Sequence, residues 1–391
     1  MNTDLELIAG GVSYTGWTQV SVSRGMDACA SAFSLTCPER FASAASPVPL
    51  RPFTPVVLRH AGQTLLTGFI FGYRASFGVG KHEAIITGRS ATAQLVDCTP
   101  DIPAGQYQGY TLAAIARAVC QIFGLTAKLQ TTLANTALAD STLERGETAF
   151  RFIDRLATIC GVLAYDDETG ALVLGNAGAD RAAGALVEGV PGGIIEATVT
   201  DDCAERFSIY IVKGQSGICA AAGASGFPSG AGDAAPGSDA TPSLITPSSG
   251  EVLTQQRAVA VDPGVPIYRP KIIMAEGQLT QAQMQLRANW QRSYHYGHSL
   301  TAEITVPGWV QPDGTLWRIN QMVPVRAPGM GMDEDLLILK LEWTYSLDGG
   351  HHTKITVGPV DGAIPSPALL KTRRKKGRKG RVAYDWNGVD E

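Results

Sequence analysis

His295 and His298, in YHYGH, are the residues of this chain best suited by type and spacing to hold a divalent metal. A zinc site needs three or four converging ligands. No cysteine or acidic cluster stands at metal-site spacing from this pair, so an aromatic-rich helix end is the better reading. His351-His352 fall at a hairpin bend, where neighbouring side chains point to opposite faces, and read as a solvated pair. Gly78-Val79-Gly80-Lys81 has the look of a phosphate loop. That motif needs glycine where Ala75 stands and Ser or Thr where His82 stands, and it must link a strand to a helix. A hairpin turn explains it better.

The acidic groups are Asp166-Asp167-Glu168, Asp201-Asp202 and Asp333-Glu334-Asp335. The first and last fall in apparent turns, where carboxylates are stable because water reaches them. A catalytic acid needs burial to raise its pKa. Calcium at the last cluster is a minor alternative. Ser216 and Ser225 lack the glycines of a nucleophile elbow. These residues offer no nucleophile, no acid/base pair and no cofactor site, which points away from an enzyme.

The sharpest charge feature is C-terminal. Lys371, Arg373, Arg374, Lys375, Lys376, Arg378, Lys379 and Arg381 stand against three acidic residues in 371–391, a net +5 that leaves −9 on residues 1–370. Such a run is a candidate contact for phosphate or for an acidic protein surface, with strong salt dependence. A solvated extension that aids solubility is the equal alternative. Tyr384 and Trp386 follow the run rather than interleave with it, which argues against a single-strand stacking platform.

The elements that must position these residues are mostly strands. TGWTQVSVSR alternates, with Val20 and Val22 on one face and Ser21 and Ser23 on the other. PVVLRHAGQTLLTGFIFGYRASF reads as a hairpin turning at Ala61-Gly62, and FGVGKHEAIITGRS turns at Gly78 to Lys81. Residues 1–97 are therefore expected to form a small antiparallel barrel or sandwich. The pattern then becomes helical. TLAAIARAVCQIFG carries an inward stripe of Leu112, Ile115, Val119, Ile122 and Phe123, with Thr111 as N-cap and Gly124 as stop. GETAFRFIDRLATICG is a second helix ending at Gly161, followed by a hairpin around Asp167 to Gly170. Residues 98–178 thus read as an α+β module.

Strands resume over 179–370, a second β region. It is interrupted by a small-residue and proline-rich insert at 219–250, read as a flexible loop, and by a helix at 280–296. Thr280 caps that helix, and Ala282, Leu286 and Trp290 make its expected inward stripe. The fold class is mainly β with an α+β insert, ending in the basic tail 371–391.

Bulk properties agree with an assembly component. The 391 residues suffice for two or three domains. The charged fraction of 17% is low against a typical ~25%, which suggests surface covered by partners. Seven scattered cysteines without a C-x-x-C pair read as buried free thiols. No apolar run reaches the ~18 residues of a membrane helix, and MNTDLELIAGG lacks the basic and apolar regions of a secretion signal. No stable membrane insertion and synthesis in a bacterial cytoplasm are the expectations.

Several stretches together resemble the baseplate hub proteins of Mu-like contractile-tailed phages, related to the late-control tail proteins. They are YTGWTQVSVSRGMD, ITGRSATAQLVDC, TLAAIARAVCQIFGL, RFSIYIVKGQ, YRPKIIMAEGQLTQAQMQLRANWQR, DGTLWRINQMVPV and the basic tail ending near YDW. The resemblance implies two tube-like antiparallel β-barrel domains per chain. It also implies a homotrimer whose six barrels surround a channel and adapt a six-fold tail tube to a three-fold spike. Implied partners are the tail spike protein, the tail tube protein or a tube-end adaptor, and baseplate wedge proteins. The tape-measure protein is a further candidate, and the genome passes through the channel without specific binding. The implied place is the virion tail tip. An acidic channel lining and strand edges covered by neighbouring subunits are further expectations. An envelope-degrading enzyme and a nucleic-acid binder acting through the tail are the rival readings. The 219–250 insert departs from the family in length and low complexity.

Overall fold

Alternation of apolar and small polar residues makes the first ninety residues into strands, because successive side chains on a strand face opposite ways. The structure, a computed structural model, describes residues 4–38, 50–78, 81–102, 105–135, 137–138, 141–215, 255–275 and 279–366. Its first strands are β1 (Leu5–Ala9), β2 (Val12–Tyr14), β3 (Gln19–Gly25), β4 (Ala28–Pro38), β5 (Pro55–His60), β6 (Gln63–Gly78) and β7 (Lys81–Ser90). Val20 and Val22 of β3 are buried, while Ser21 and Ser23 on its other face are half-buried. Ala61 and Gly62 both take positive φ, 48° and 78°, between β5 and β6. This is the two-residue turn whose twist suits a hairpin. β6 and β7 pair as far as Gly78 opposite Lys81, so the glycine-rich stretch links two strands.

A helical segment follows: α1 (Ala93–Asp97), β8 (Gln106–Tyr107), α2 (Leu112–Ile122), β9 (Ala127–Leu129), β10 (Ser141–Thr142), α3 (Ala149–Cys160), β11 (Leu163–Asp166) and β12 (Leu172–Gly175). Thr111 Oγ1 accepts a hydrogen bond from the Ala114 N–H and Thr148 Oγ1 one from the Arg151 N–H. Each such cap contributes about 1 kcal/mol. α2 buries Leu112, Ala113, Ile115, Ala116, Val119 and Cys120. Ile122, expected inward, occupies the last helical position and is exposed. α2, α3 and the β11–β12 hairpin enclose a core of their own, which Cys29 of β4 also enters.

The remaining elements are β13 (Asp180–Arg181), β14 (Leu186–Val187), β15 (Glu196–Asp201), β16 (Ile209–Gln215), β17 (Gln255–Val261), β18 (Pro270–Met274), α4 (Gln281–Ser299), β19 (Leu300–Pro307), β20 (Gln321–Ala327), β21 (Met332–Ser346), β22 (Gly350–Gly358) and α5 (Val360–Ala363). The fold is mostly β with a few helices. Its principal sheet has 14 strands and runs β15-β19-β22-β21-β3-β4-β7-β6-β5-β1-β2, with β13 and β14 pairing β20, and β20 pairing β21. β3 pairs β21, so both β regions share one sheet and one hydrophobic core. Two separate barrels were expected. The strands instead follow an open path through both regions, and no closed barrel is present among the described residues.

α4 corrects the reading of its buried face. Ala282 and Leu286 are exposed and Trp290 is half-buried, whereas Met284, Ala288 and His295 face inward. The helix lies on Tyr210, Val212, Ala258 and Ala260 of a three-stranded sheet ordered β17-β16-β18. Gln281 and Gln285 donate to the Arg257 and Val259 carbonyls and fix that rotation. Gly297, at the expected end, is helical instead. A Cβ there would stand 2.0 Å from the Gly362 nitrogen, so the glycine permits α5 to cross closely. Among the described residues no helix is long and apolar enough to cross a membrane.

Candidate assembly surfaces

Register defines a broad polar face on the principal sheet. One row runs across seven strands as Glu196, Thr305, Lys354, Glu342, Ser23, Ala32 and Arg89. The neighbouring row runs His352, Thr344, Ser21, Ser34 and Thr87. Behind them Ile304, Ile355, Leu341, Trp343, Val22 and Phe33 are buried. Lys354 Nζ pairs with Glu303 at 2.6 Å, and this hydrogen bond raises the lysine pKa. Ser21 Oγ donates to Glu342 at 3.1 Å. Among the side chains described, the charges on this face balance: Glu83, Glu196, Glu303 and Glu342 stand against Arg74, Arg89, Lys340 and Lys354. The face is small in side chain, rich in hydroxyls and without a strong field.

Beside it stands an aromatic pair. Phe53 has φ 68° and is 74% exposed, with its ring edge-on to Phe71 at 6.1 Å. Positive φ is costly for a bulky residue, and such strain collects at functional surfaces.

The residues singled out for chemistry have structural settings. His295 is buried, stacked on Tyr210 at 5.5 Å, and its Nε2 lies 2.9 Å from Lys271 Nζ. Burial lowers its pKa and the Lys271 charge lowers it further, so a neutral imidazole accepts from the ammonium. His298 Nδ1 lies 2.9 Å from the Tyr294 carbonyl. Among the described residues no three His, Cys, Asp or Glu are grouped to hold a metal ion.

His351 is not solvated as expected. It is half-buried against Tyr345 at 4.6 Å, Trp309 at 5.1 Å and the buried His60 at 5.7 Å. Burial lowers the pKa of both histidines. Asp166 is also a correction: it is fully buried, and its Oδ2 accepts from the Ser31 N–H of β4 at 3.1 Å. Beside it, Asp167 organises the turn. Burial would raise its pKa, but hydrogen bonds from Lys128, Thr169 and the Ala171 N–H hold it below the usual range. Asp333 and Asp335 pair with Arg326, and Asp335 also with Arg181, which occupies the carboxylates proposed for calcium.

The thiols divide. Cys29, Cys37 and Cys120 are buried, with burial pushing Cys37 up to about 11 and Cys120 to about 12. Cys98 and Cys203 are exposed, against expectation. Sequence reasoning missed Arg24, which is buried, donates to Ser31 Oγ and the Leu65 carbonyl, and lies over the Trp343 ring. Nothing in its local pattern signals this, since its partners come from other strands. Ser216, Ser225, Cys219, the 219–250 insert and the basic run Lys371 to Arg381 lie outside the described residues.

This arrangement of sheets and helices is a phage tail-protein fold. The 43 kDa tail protein of prophage MuSo2 from Shewanella oneidensis is 30% identical, with a TM-score of 0.74 over 92% of this chain and 98% of that one. A tail protein from Neisseria meningitidis MC58, at 20% identity and a TM-score of 0.70, shares the fold over 93% and 98% of the two chains. Residues 4–90 match the N-terminal domain of Mu phage baseplate assembly protein GpP-like proteins. Residues 92–176 match the second domain of gp44-like baseplate hub proteins, and 280–366 the fourth domain of GpP. Baseplate hub protein gp44 of Escherichia phage Mu is 30% identical over 380 residues, which cover 96% of this chain and 93% of gp44. The chain belongs to this family of Mu-type baseplate hub proteins, and its role is that of a structural component of the baseplate.

Proposed function

We propose that the chain is the non-enzymatic hub of a contractile tail, a homotrimer at the virion tail tip that joins the six-fold tube to the three-fold spike. The observation that carries this reading is the β3–β21 junction. It joins two β regions in one sheet with a continuous polar face, so each chain brings two β regions to the channel and three chains bring six. Spike, tube or tube-end adaptor and wedge proteins are the partners this geometry suits. Sheet edges at β15 and β2 require covering, because open edges invite aggregation.

The polar face supports a channel lining through which the genome passes without specific binding. An acidic lining was expected, but this face is balanced. Its inertness comes from small hydroxyl side chains and the lack of net positive charge. The basic residues Lys371, Arg373, Arg374, Lys375, Lys376, Arg378, Lys379 and Arg381 dock on an acidic patch of another tail component, with the tape-measure protein a candidate. Deleting 371–391 should then reduce particle yield in a salt-dependent way, and unchanged assembly would make the run a solubilising extension. Light scattering of the full chain with its spike tests the hub itself: a three-chain mass is expected, and a strict monomer contradicts it.

A further inference from the structure

Among the described residues, the three-stranded sheet β17-β16-β18 is covered on one side only, by α4. Tyr210, Val212, Ala258 and Ala260 face α4 and are buried. Register places Ile209, Ile211, Val259, Val261, Ile272 and Met274 together on the opposite side. There Val261 and Ile272 are each 56% exposed and Met274 is 67% exposed, around a buried Ile211 and half-buried Ile209 and Val259. A contiguous apolar face of this kind marks an interaction site, whereas single exposed apolar residues do not. One end of it is basic, since Lys213 and Arg257 are exposed and directly paired across the strands.

The same chain carries a surface of opposite character. The loop entering β15 exposes Val190 (47%) and Ile195 (56%), flanked by exposed Glu188 and Glu196. Glu188 is anchored by the Gly329 N–H at 3.0 Å, and the Ile195 N–H is held by the Thr305 carbonyl at 2.8 Å. The patch is thus fixed to the principal sheet. One surface is apolar with a basic end, and the other is apolar with acidic flanks. Two different complementary surfaces on one chain make a head-to-tail contact, which closes into a ring when the rotation permits.

We propose that the open face of β17-β16-β18 packs against the β15 entry loop of a second copy of this chain, centred on Ile272 and Ile195. The inference rests on the hub reading and names the subunit junction within it. Both side chains are exposed, so charged substitutions there should leave the fold intact.

The test uses the full chain and sedimentation velocity, with circular dichroism and melting confirming that each variant folds like the parent. Ile272→Glu alone and Ile195→Glu alone should both sediment as monomers, with at least a tenfold weaker association than the parent. Mixed one to one, they should form dimers and stop there, because the mixture retains one intact junction and two spoiled ends. An Ile272→Glu chain that assembles like the parent overturns the proposal and leaves the hub reading standing. A monomeric Ile272→Glu with normally assembling Ile195→Glu overturns it too, by indicating another occupant or a face-to-face pair. A parent that stays monomeric with its spike overturns the hub reading as well.

Discussion

Val22 of β3 lies directly opposite Trp343 of β21, and both are fully buried. This pair joins the β region before the α+β segment to the one after it. Truncation at Trp343 therefore strikes the common core. Trp343→Ala should cost about 3–5 kcal/mol, and urea unfolding should reveal the loss as a lower midpoint for both regions together. A variant that loosens only the C-terminal strands would separate the two regions.

Acidity should weaken the fold. His60, His351 and His295 all have pKa values lowered in the native state, chiefly by burial. The unfolded chain takes up their protons first as pH falls through about 6.5, so stability drops below that pH and levels off once the native pKa values are passed. The melting temperature should be lower at pH 5 than at pH 7.5. Replacing His60 and His351 by Phe should flatten that dependence, which a pH series of melts would check.

Arg206 and Asp262 form a two-bonded ion pair, Nε to Oδ2 at 3.1 Å and an Nη to Oδ1 at 3.0 Å, with side chains only 12% and 6% exposed. Asp262→Ala leaves the guanidinium enclosed without its partner and should cost about 3–5 kcal/mol. A paired apolar replacement of both residues should cost clearly less in the same denaturation assay.

Gly297→Ala tests the α4–α5 crossing. The added Cβ would meet the Gly362 backbone at 2.0 Å, so overpacking should cost about 1–3 kcal/mol. Hydrogen exchange should show the loss concentrated at residues 290–299 and 360–364.

Local signals in the sequence were reliable where the physics is local. Thr111 and Thr280 cap the helices they precede, and Ala61-Gly62 makes its turn, because each depends on neighbours within a few residues. Features set by distant partners were hidden. Asp166 reads as a wet turn residue until Ser31, 135 positions earlier, donates to it. α4 is only weakly amphipathic, so the sheet beneath it decides that Met284 rather than Leu286 faces inward. His351 is sheltered by His60 and Trp309, which reach it from other parts of the chain. The β3–β21 pairing spans more than three hundred residues, so two regions that alternate independently gave no sign of sharing a sheet.

The central claim is the trimeric hub, and electron cryomicroscopy of isolated particles tests it most directly. Three copies of this chain between the end of the tube and the spike, with the Thr/Ser face turned to the channel, are expected. A different copy number, or a location away from that junction, would contradict it.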